Sequence, residues 1–331
     1  MRSFNFVALA TVCMTVQPLF TKLSQNEDGT YDYFVLTTVL CTEFVKLAVS
    51  LGYYALFVPP QRKTHHSFRA RDIVAFAIPA AVYALNNALV FWIISELRPS
   101  SFQILSSFKT VFTLVLFRIV LQRIPTNNQY VAVLLLAAGA AVSRLGSVNK
   151  CNGDSSDGGA LGVVLTLVSC LASSMGGVAN EALLKKDGGM HSLSMQNSIL
   201  YAFGVVVNSI ALLARNASDV LTDGFFVGYD GRTVLLITIN ALTGLSISAV
   251  LKWNNNIGRV FAHTGAIVLS MGLEMLLFKL PATAELVLAG VIVSGSALVY
   301  SNDPPPKPAK LPPTLLNSQV SVQLRAANAE V

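Results

Sequence analysis

The sequence predicts an all-α polytopic membrane protein, with ten transmembrane helices arranged as two inverted five-helix repeats. Three observations predict it. The first is composition: 53% of the 331 residues are hydrophobic and only 12% are charged, about half the charge of a typical soluble domain at ~25%. So few charges cannot cover a soluble protein of this size, which excludes an ordinary cytosolic enzyme, a disordered chain and a nucleic-acid binder. The second is ten apolar stretches, each close to the roughly 20 residues that cross a hydrocarbon core. The third is a faint internal echo: Ala84-Leu85 returns as Ala241-Leu242, and Leu116-Phe117-Arg118 as Leu277-Phe278-Lys279. Five spans per half is an odd number, so the second half enters the membrane in the opposite sense. Inverted halves with a site between them are the architecture of alternating-access transporters.

The stretches run over 4–22, 34–57, 73–95, 100–121, 128–145, 160–183, 194–214, 233–252, 259–279 and 282–300. The first is the weakest, being short and interrupted by Gln17 and Pro18. No small-residue cleavage site follows it, so it reads as a retained span and not a removed signal peptide. Pro59-Pro60, Pro125 and Asn152 to Gly159 carry loop chemistry. These limits define a transporter domain over 1–301, with repeats of about 1–145 and 160–301, and a tail over 302–331. That tail holds Pro304-Pro305-Pro306 and Pro312-Pro313 and reads as extended or disordered.

Orientation is set by basic residues. With ten spans, one side carries 14 basic residues (Arg2, Arg62, Lys63, Arg69, Arg71, Arg118, Arg123, Lys185, Lys186, Lys252, Arg259, Lys307, Lys310 and Arg325) against 7 on the other. The positive side faces the cytosol, so both termini are expected there. The net charge of +6 is chiefly this orientation signal. Of the cysteines, Cys13, Cys41 and Cys170 fall in spans and only Cys151 in a loop, so no disulfide framework is expected. The sequon Asn216-Ala217-Ser218 falls in a loop on the opposite side.

Ionisable groups inside a span cost about 2.5–3.5 kcal/mol and need a partner or a watery cavity. Lys109 lies mid-span with no acid one turn away, which points to an anion-binding lysine; pairing with Glu43 or Glu181 from another helix is the alternative. Glu43 and Lys46 are spaced to pair on one helical face, and so are Glu181 and Lys185. Amides and aromatics gather nearby: Tyr83, Asn86 and Asn87; Phe102 and Gln103; Gln196, Asn197 and Tyr201. Amides can read a base edge and rings can stack on it, while a cation holds a phosphate. Interhelical hydrogen bonding explains any one amide; the set points to a polar cavity. Phosphate-loop, Gly-x-Gly-x-x-Gly and His-Glu-x-x-His motifs are absent, and His65, His66, His191 and His263 lack metal spacing.

Six stretches also carry a family resemblance: Thr42–Leu47 (TEFVKL), Pro79–Asn87 (PAAVYALNN), Ser101–Lys109 (SFQILSSFK), Gly177–Glu181 with Lys185, Gln196-Asn197 with Tyr201–Gly204, and Lys252–Phe261 (KWNNNIGRVF). In these the chain resembles the Golgi nucleotide-sugar transporters of the drug/metabolite transporter superfamily, in the CMP-sialic acid and UDP-galactose transporter group. The resemblance implies a non-enzymatic antiporter in the Golgi membrane that exchanges a cytosolic pyrimidine nucleotide sugar for luminal nucleoside monophosphate, with no cofactor or metal. It implies that Tyr83, Asn87, Ser173, Asn197 and Tyr201 shape the nucleotide pocket and that Lys109 and Arg259 hold the phosphate. Its partners are then the two nucleotides and the lipid bilayer, and a homodimer or an association with a glycosyltransferase is compatible with it. Phe102 stands where the family has Tyr, Arg259 where it has Lys, and Asn254-Asn255 where it has a small residue and Asp. The base and the sugar are what these departures bear on. An exchanger of another phosphorylated metabolite, and a non-transporting scaffold for a glycosyltransferase, are the alternative readings.

Overall fold

The computed structural model describes residues 2–58, 70–119, 126–148, 160–184, 192–253, 256–279 and 283–301. Pro59-Pro60, Cys151, Lys185, Lys186, Asn254-Asn255 and the tail over 302–331 lie outside the described residues, as does the side chain of Arg259. The described residues form helices and their connections, without a strand. In chain order the helices are α1 (Arg2–Leu23), α2 (Val35–Phe57), α3 (Ala70–Ala75), α4 (Ala77–Glu96), α5 (Pro99–Ser106), α6 (Phe108–Ile119), α7 (Asn127–Val148), α8 (Ala160–Leu184), α9 (Leu193–Asp223), α10 (Gly231–Trp253), α11 (Asn256–Leu277) and α12 (Ala284–Ser301).

Every apolar stretch of the sequence is matched by a helix or a pair of them. Six segments are long and apolar enough to cross a membrane: Phe6–Leu23, Val35–Phe57, Ala70–Glu96, Ala160–Leu184, Leu193–Asp223 and Gly231–Lys252. Ser101–Leu116, Ala262–Leu277 and Ala284–Tyr300 are apolar but shorter. The protein is a multi-pass membrane protein, and its surface agrees. Leu56, Leu134 and Leu276 are more than two-thirds exposed, while Gln129, Gln196 and Glu274 are fully buried. In water that arrangement would be inside out; against lipid it puts apolar side chains outward and polar ones into the bundle.

Local chemistry sets the helix ends. Thr126 and Gln129 form a reciprocal capping box, the Gln129 amide donating to Thr126 Oγ1 and the Thr126 amide to Gln129 Oε1. Ser192 caps α9 by accepting from the Met195 amide, and Asp230 caps α10 by accepting from the Thr233 amide at 2.8 Å. Pro99 opens α5, where its missing N–H costs nothing.

Three details differ from the sequence expectation. α1 runs unbroken through Pro18. The third stretch divides at Phe76, whose amide bonds the Ile73 carbonyl three residues back; Pro79 has no N–H to offer Ala75 and so favours the step there. The seventh continues past 214 to Asp223 with a kink at Asn216 (φ −128°, ψ 22°). The sequon therefore sits within a helix and not in a loop. The Asn216 side chain donates to Asp219 Oδ2 at 3.1 Å, which restarts the turn after the kink.

Helices pack mainly across the two halves of the chain: α1 on α10 and α11, α2 on α9 and α10, α4 on α8 and α9, α6 on α8, and α7 on α12. A polar cavity lies among them.

Candidate functional site

The cavity has a volume of about 240 Å³, near the lower end of ligand pockets at ~300–1,000 Å³. Among the described residues, nine helices contribute to its wall, while α7 and α12, packed on each other, do not. Of the residues singled out in the sequence, Tyr83, Asn87, Phe102, Lys109, Ser173 and Tyr201 all line it. Asn197 is buried at 3% exposure but is not among the lining residues. Arg259 belongs to α11, and its side chain lies outside the described residues.

Lys109 owes its place to an irregularity. Between α5 and α6 the helix tightens at Ser107: the Ser107 amide bonds the Ile104 carbonyl and the Thr110 amide bonds the Ser107 carbonyl, each three residues back. A 3₁₀ turn inside a helix shifts the phase of the next turns and often marks a hinge. Ser174 on α8 donates to the Lys109 carbonyl at 3.0 Å, pinning this turn to the second half of the chain.

A second cation, Lys46, also lines the cavity. Lys46 pairs with Glu43 at 2.5 Å, and both are buried. Asn87 Nδ2 donates to Glu43 Oε1 at 3.3 Å. Lys46 Nζ lies 4.6 Å from the centre of the Tyr201 ring, a cation–π distance. Tyr201 in turn shares a hydrogen bond with Ser248 at 3.2 Å. Four helices are thus joined through one ion pair. Both ion-pair side chains reach across the backbone of a glycine: a Cβ at Gly204 would stand 2.8 Å from Glu43 Oε2, and one at Gly244 would stand 2.9 Å from Lys46 Cδ. Glu43 is therefore a partner of Lys46, which accounts for one of the two acids that could have neutralised Lys109.

Amides complete the wall. Ser169 donates to Asn86 Oδ1 at 2.7 Å. Asn180 and Asn240 also line the cavity, and their buried Oδ1 atoms have no hydrogen-bond partner among the described residues. Gln17, Thr21, Thr42, Thr243 and His263 complete the polar lining. Span counting by hydropathy misses this group. Gln17 reads as an interruption of a weak span, although a polar side chain in an apolar run is itself the signal. Asn240 sits in the run LLITINALTG and carries the same signal. The cavity thus combines Lys109, the Glu43–Lys46 ion pair, amides and aromatic rings, and among these are groups that bind a phosphate, read polar edges and stack on a flat ring.

Comparison with known proteins places the chain in a family. The nucleotide-sugar transporter family model matches residues 2–301. This chain belongs to the nucleotide-sugar transporter family. Among the relatives of this family member, CMP-sialic acid transporter 1 of Oryza sativa subsp. japonica is 31% identical over 306 residues, covering 91% of this chain and 94% of the rice protein. CMP-sialic acid transporter 2 of Oryza sativa subsp. indica is 29% identical, covering 90% and 83%. The probable UDP-sugar transporter protein SLC35A4 of Xenopus tropicalis is 31% identical, covering 82% and 84%. A solved crystal structure superposes with a TM-score of 0.60 at 13% identity, over 91% of this transporter and 96% of that chain, and so shares its fold.

Proposed function

We propose that this transporter is an antiporter that carries a pyrimidine nucleotide sugar from the cytosol into the Golgi lumen in exchange for nucleoside monophosphate. The observation that carries the reading is the convergence of Lys109 with Tyr83, Asn87, Phe102, Ser173 and Tyr201 on one cavity between the two halves of the chain. Lys109 holds phosphate, the rings of Phe102 and Tyr83 offer stacking faces, and the amides read the base. Arg259, one turn or so into α11, supplies the second phosphate cation on the strength of its motif. Relatives named for CMP-sialic acid and for UDP-sugars support a pyrimidine nucleotide.

The architecture we infer is ten spans in two inverted repeats, with α3–α4 and α5–α6 each counted as one span. The packing supports it, because it keeps its pattern when every span number is moved by five. Span one packs on span eight as span six packs on span three; span two packs on span eight as span seven packs on span three; span five pairs with span ten. Two like halves around one site give two equivalent ways to open it, one toward each side of the membrane. Both the incoming nucleotide sugar and the returning monophosphate carry a phosphate, so each satisfies the same cation and one replaces the other. Both termini face the cytosol by the charge bias.

The test is exchange by the purified protein in liposomes. Vesicles preloaded with CMP or UMP take up labelled CMP-sialic acid or UDP-galactose faster than empty vesicles. Equal uptake by loaded and empty vesicles for both sugars overturns the proposal.

A further inference from the structure

Two connections meet at one end of the cavity. Residues 24–34 join α1 to α2, and residues 224–230 join α9 to α10. Tyr33, Val39, Phe91 and Leu236, all buried, form an apolar cluster there, with Tyr31 and Tyr229 packed against it. Val39 and Phe91 also line the cavity, so at this end the cluster is the cavity wall. Its rings are in contact. Tyr31 lies 5.3 Å from Tyr33 and 5.4 Å from Phe91, centre to centre, and Tyr33 lies 6.1 Å from Tyr229. Rings at these spacings are packed edge against face, and no nucleotide passes between them.

The members of the cluster are held from different halves of the chain. Tyr31 and Tyr33 are tied to the first half. The Tyr31 hydroxyl donates to the Phe91 carbonyl at 3.0 Å and accepts from Gln25 at 2.8 Å, and Ser24 shares a hydrogen bond of 2.8 Å with Tyr33. Tyr229 belongs to the second half. Its turn is closed by the Val227 amide on the Gly224 carbonyl and the Tyr229 amide on the Phe226 carbonyl, and its ring packs edge-on against Phe226 at 5.4 Å.

Between the two groups runs a seam. The Tyr229 hydroxyl donates to Thr37 Oγ1 at 3.0 Å and accepts from Thr38 at 3.3 Å. Hydroxyl-to-hydroxyl bonds of this kind exchange readily for bonds to water. Beside them Gly228 closes on Asp32, where a Cβ would stand 2.1 Å from the Asp32 carbonyl oxygen. Its φ of +68° is one that glycine adopts without steric cost. The wall is thus tight within each half and easily parted between them.

We propose that residues 24–34 and 224–230 form the luminal gate of the transporter, closed in this structure, and that it parts at the seam between Tyr229 and Thr37 to pass the nucleotides. The assignment rests on the ten-span count and the exchange proposed above, which put both connections on the luminal side. It makes Gly228 the residue whose lack of a side chain lets the gate shut.

The experiment uses the full chain in liposomes, in a background whose four cysteines are replaced by alanine. Thr37→Cys with Tyr229→Cys puts one thiol on each side of the seam, about a tyrosine ring apart, and a reducible bifunctional thiol reagent bridges them. Ser24→Cys with Tyr33→Cys, both in the first half, is the control pair. Linking the seam pair is expected to lower exchange of UMP for labelled UDP-galactose, or of CMP for labelled CMP-sialic acid, at least about tenfold, since exchange runs no faster than its gate opens. Reduction restores it, and linking the control pair leaves exchange as it is in the unlinked form. A second reading needs no transport. Leu236→Cys, fully buried in the cluster, is offered an impermeant thiol reagent. Gly228→Val holds the gate ajar and is expected to raise this labelling several-fold, while Ile267→Cys, as deeply buried in another cluster, stays unlabelled. Undiminished exchange in the linked seam pair, equal losses in both pairs, or unchanged labelling of Leu236→Cys in Gly228→Val overturns the gate while leaving the exchange reading intact. A wild-type protein that exchanges neither nucleotide sugar overturns the exchange reading, and the labelling then decides the gate by itself.

Discussion

Gln103 and Pro18 form a matched pair across two helices. Pro18 lies inside α1 and has no N–H for the Met14 carbonyl four residues earlier. Gln103 Nε2, on α5, reaches that carbonyl at 3.0 Å. The same amide lies 2.6 Å from Ser270 Oγ on α11, and Ser270 donates in turn to the Thr15 carbonyl at 3.4 Å. A proline that would weaken an isolated helix is here the socket for a tie between three helices beside the cavity.

The tie is expected to show as coupling. Gln103→Leu leaves the Met14 carbonyl, half-buried at the cavity wall, without its partner, at a cost of up to about 1–3 kcal/mol. Pro18→Ala returns an N–H to it, so the same leucine substitution made in the Pro18→Ala background costs measurably less. Thermal unfolding of the four proteins in detergent reads the cycle. Effects that add to within about 0.3–0.5 kcal/mol show that the two residues act independently.

Lys109 is expected to matter for transport. Hydrogen bonds to charged groups are worth about 1.5–3 kcal/mol, so Lys109→Ala lowers nucleotide-sugar uptake, measured per folded protein, by roughly 10- to 150-fold. Lys109→Arg keeps the charge and recovers part of the uptake. Unaltered uptake in the alanine variant rules out the phosphate role.

The buried pair Glu43–Lys46 leads to a packing prediction. A methyl group at Gly244 meets Lys46 Cδ, in mid-chain, at 2.9 Å. The lysine cannot swing aside, because its Nζ is held by Glu43 and the Tyr201 ring. Gly244→Ala and Gly204→Ala are each expected to cost about 1–3 kcal/mol, the range for overpacking a filled core. Gly52→Ala, where a Cβ meets nothing within 4 Å, is the control in the same thermal assay. Equal stability of all three variants shows that the pair relaxes without cost.

How much of this was legible in the sequence depends on what hydropathy can see. The stretch 160–183 became α8 (Ala160–Leu184) nearly residue for residue, because a long apolar run has few alternatives in lipid. Lys109, Tyr83 and Tyr201 were legible for the complementary reason: a polar group in such a run must face inward. The same rule does not distinguish a wall from a seam. Asn197 obeys it and is buried away from the cavity lining, whereas Gln17 and Asn240, which span counting misses, line it. Which inward face meets the cavity depends on partner helices far away in the chain, as Pro18 depends on Gln103. The continuation of α9 beyond Asn216 was hidden for a local reason. Arg215 to Asp219 is too polar to read as a span, yet Asn216 and Asp219 bond each other within the helix.

Asp230 gives the chain a pH dependence outside the spans. Its carboxylate accepts from the Thr233 amide and hydroxyl, both at 2.8 Å, and these bonds, the backbone one foremost, hold its pKa below the ordinary carboxylate value. The folded state thus favours the ionised form more than the unfolded state does. A group with a depressed folded pKa contributes stability that is fully present above its unfolded pKa of about 3.9. That contribution is lost as pH falls through the lower, folded value. Asp230 is exposed, so the electrostatic share is screened, and the expected cost of Asp230→Ala at pH 7 is that of a lost helix cap, about 0.5–2 kcal/mol. The difference in unfolding temperature between wild type and Asp230→Ala is expected to hold from pH 7 to about 5 and to shrink below about 4. Asp230→Asn caps without a charge, so it sits near wild type at neutral pH and shows no such change. A wild-type advantage over alanine that persists undiminished at pH 3 shows that the neutral carboxyl caps α10 as well as the carboxylate does, and overturns the linkage.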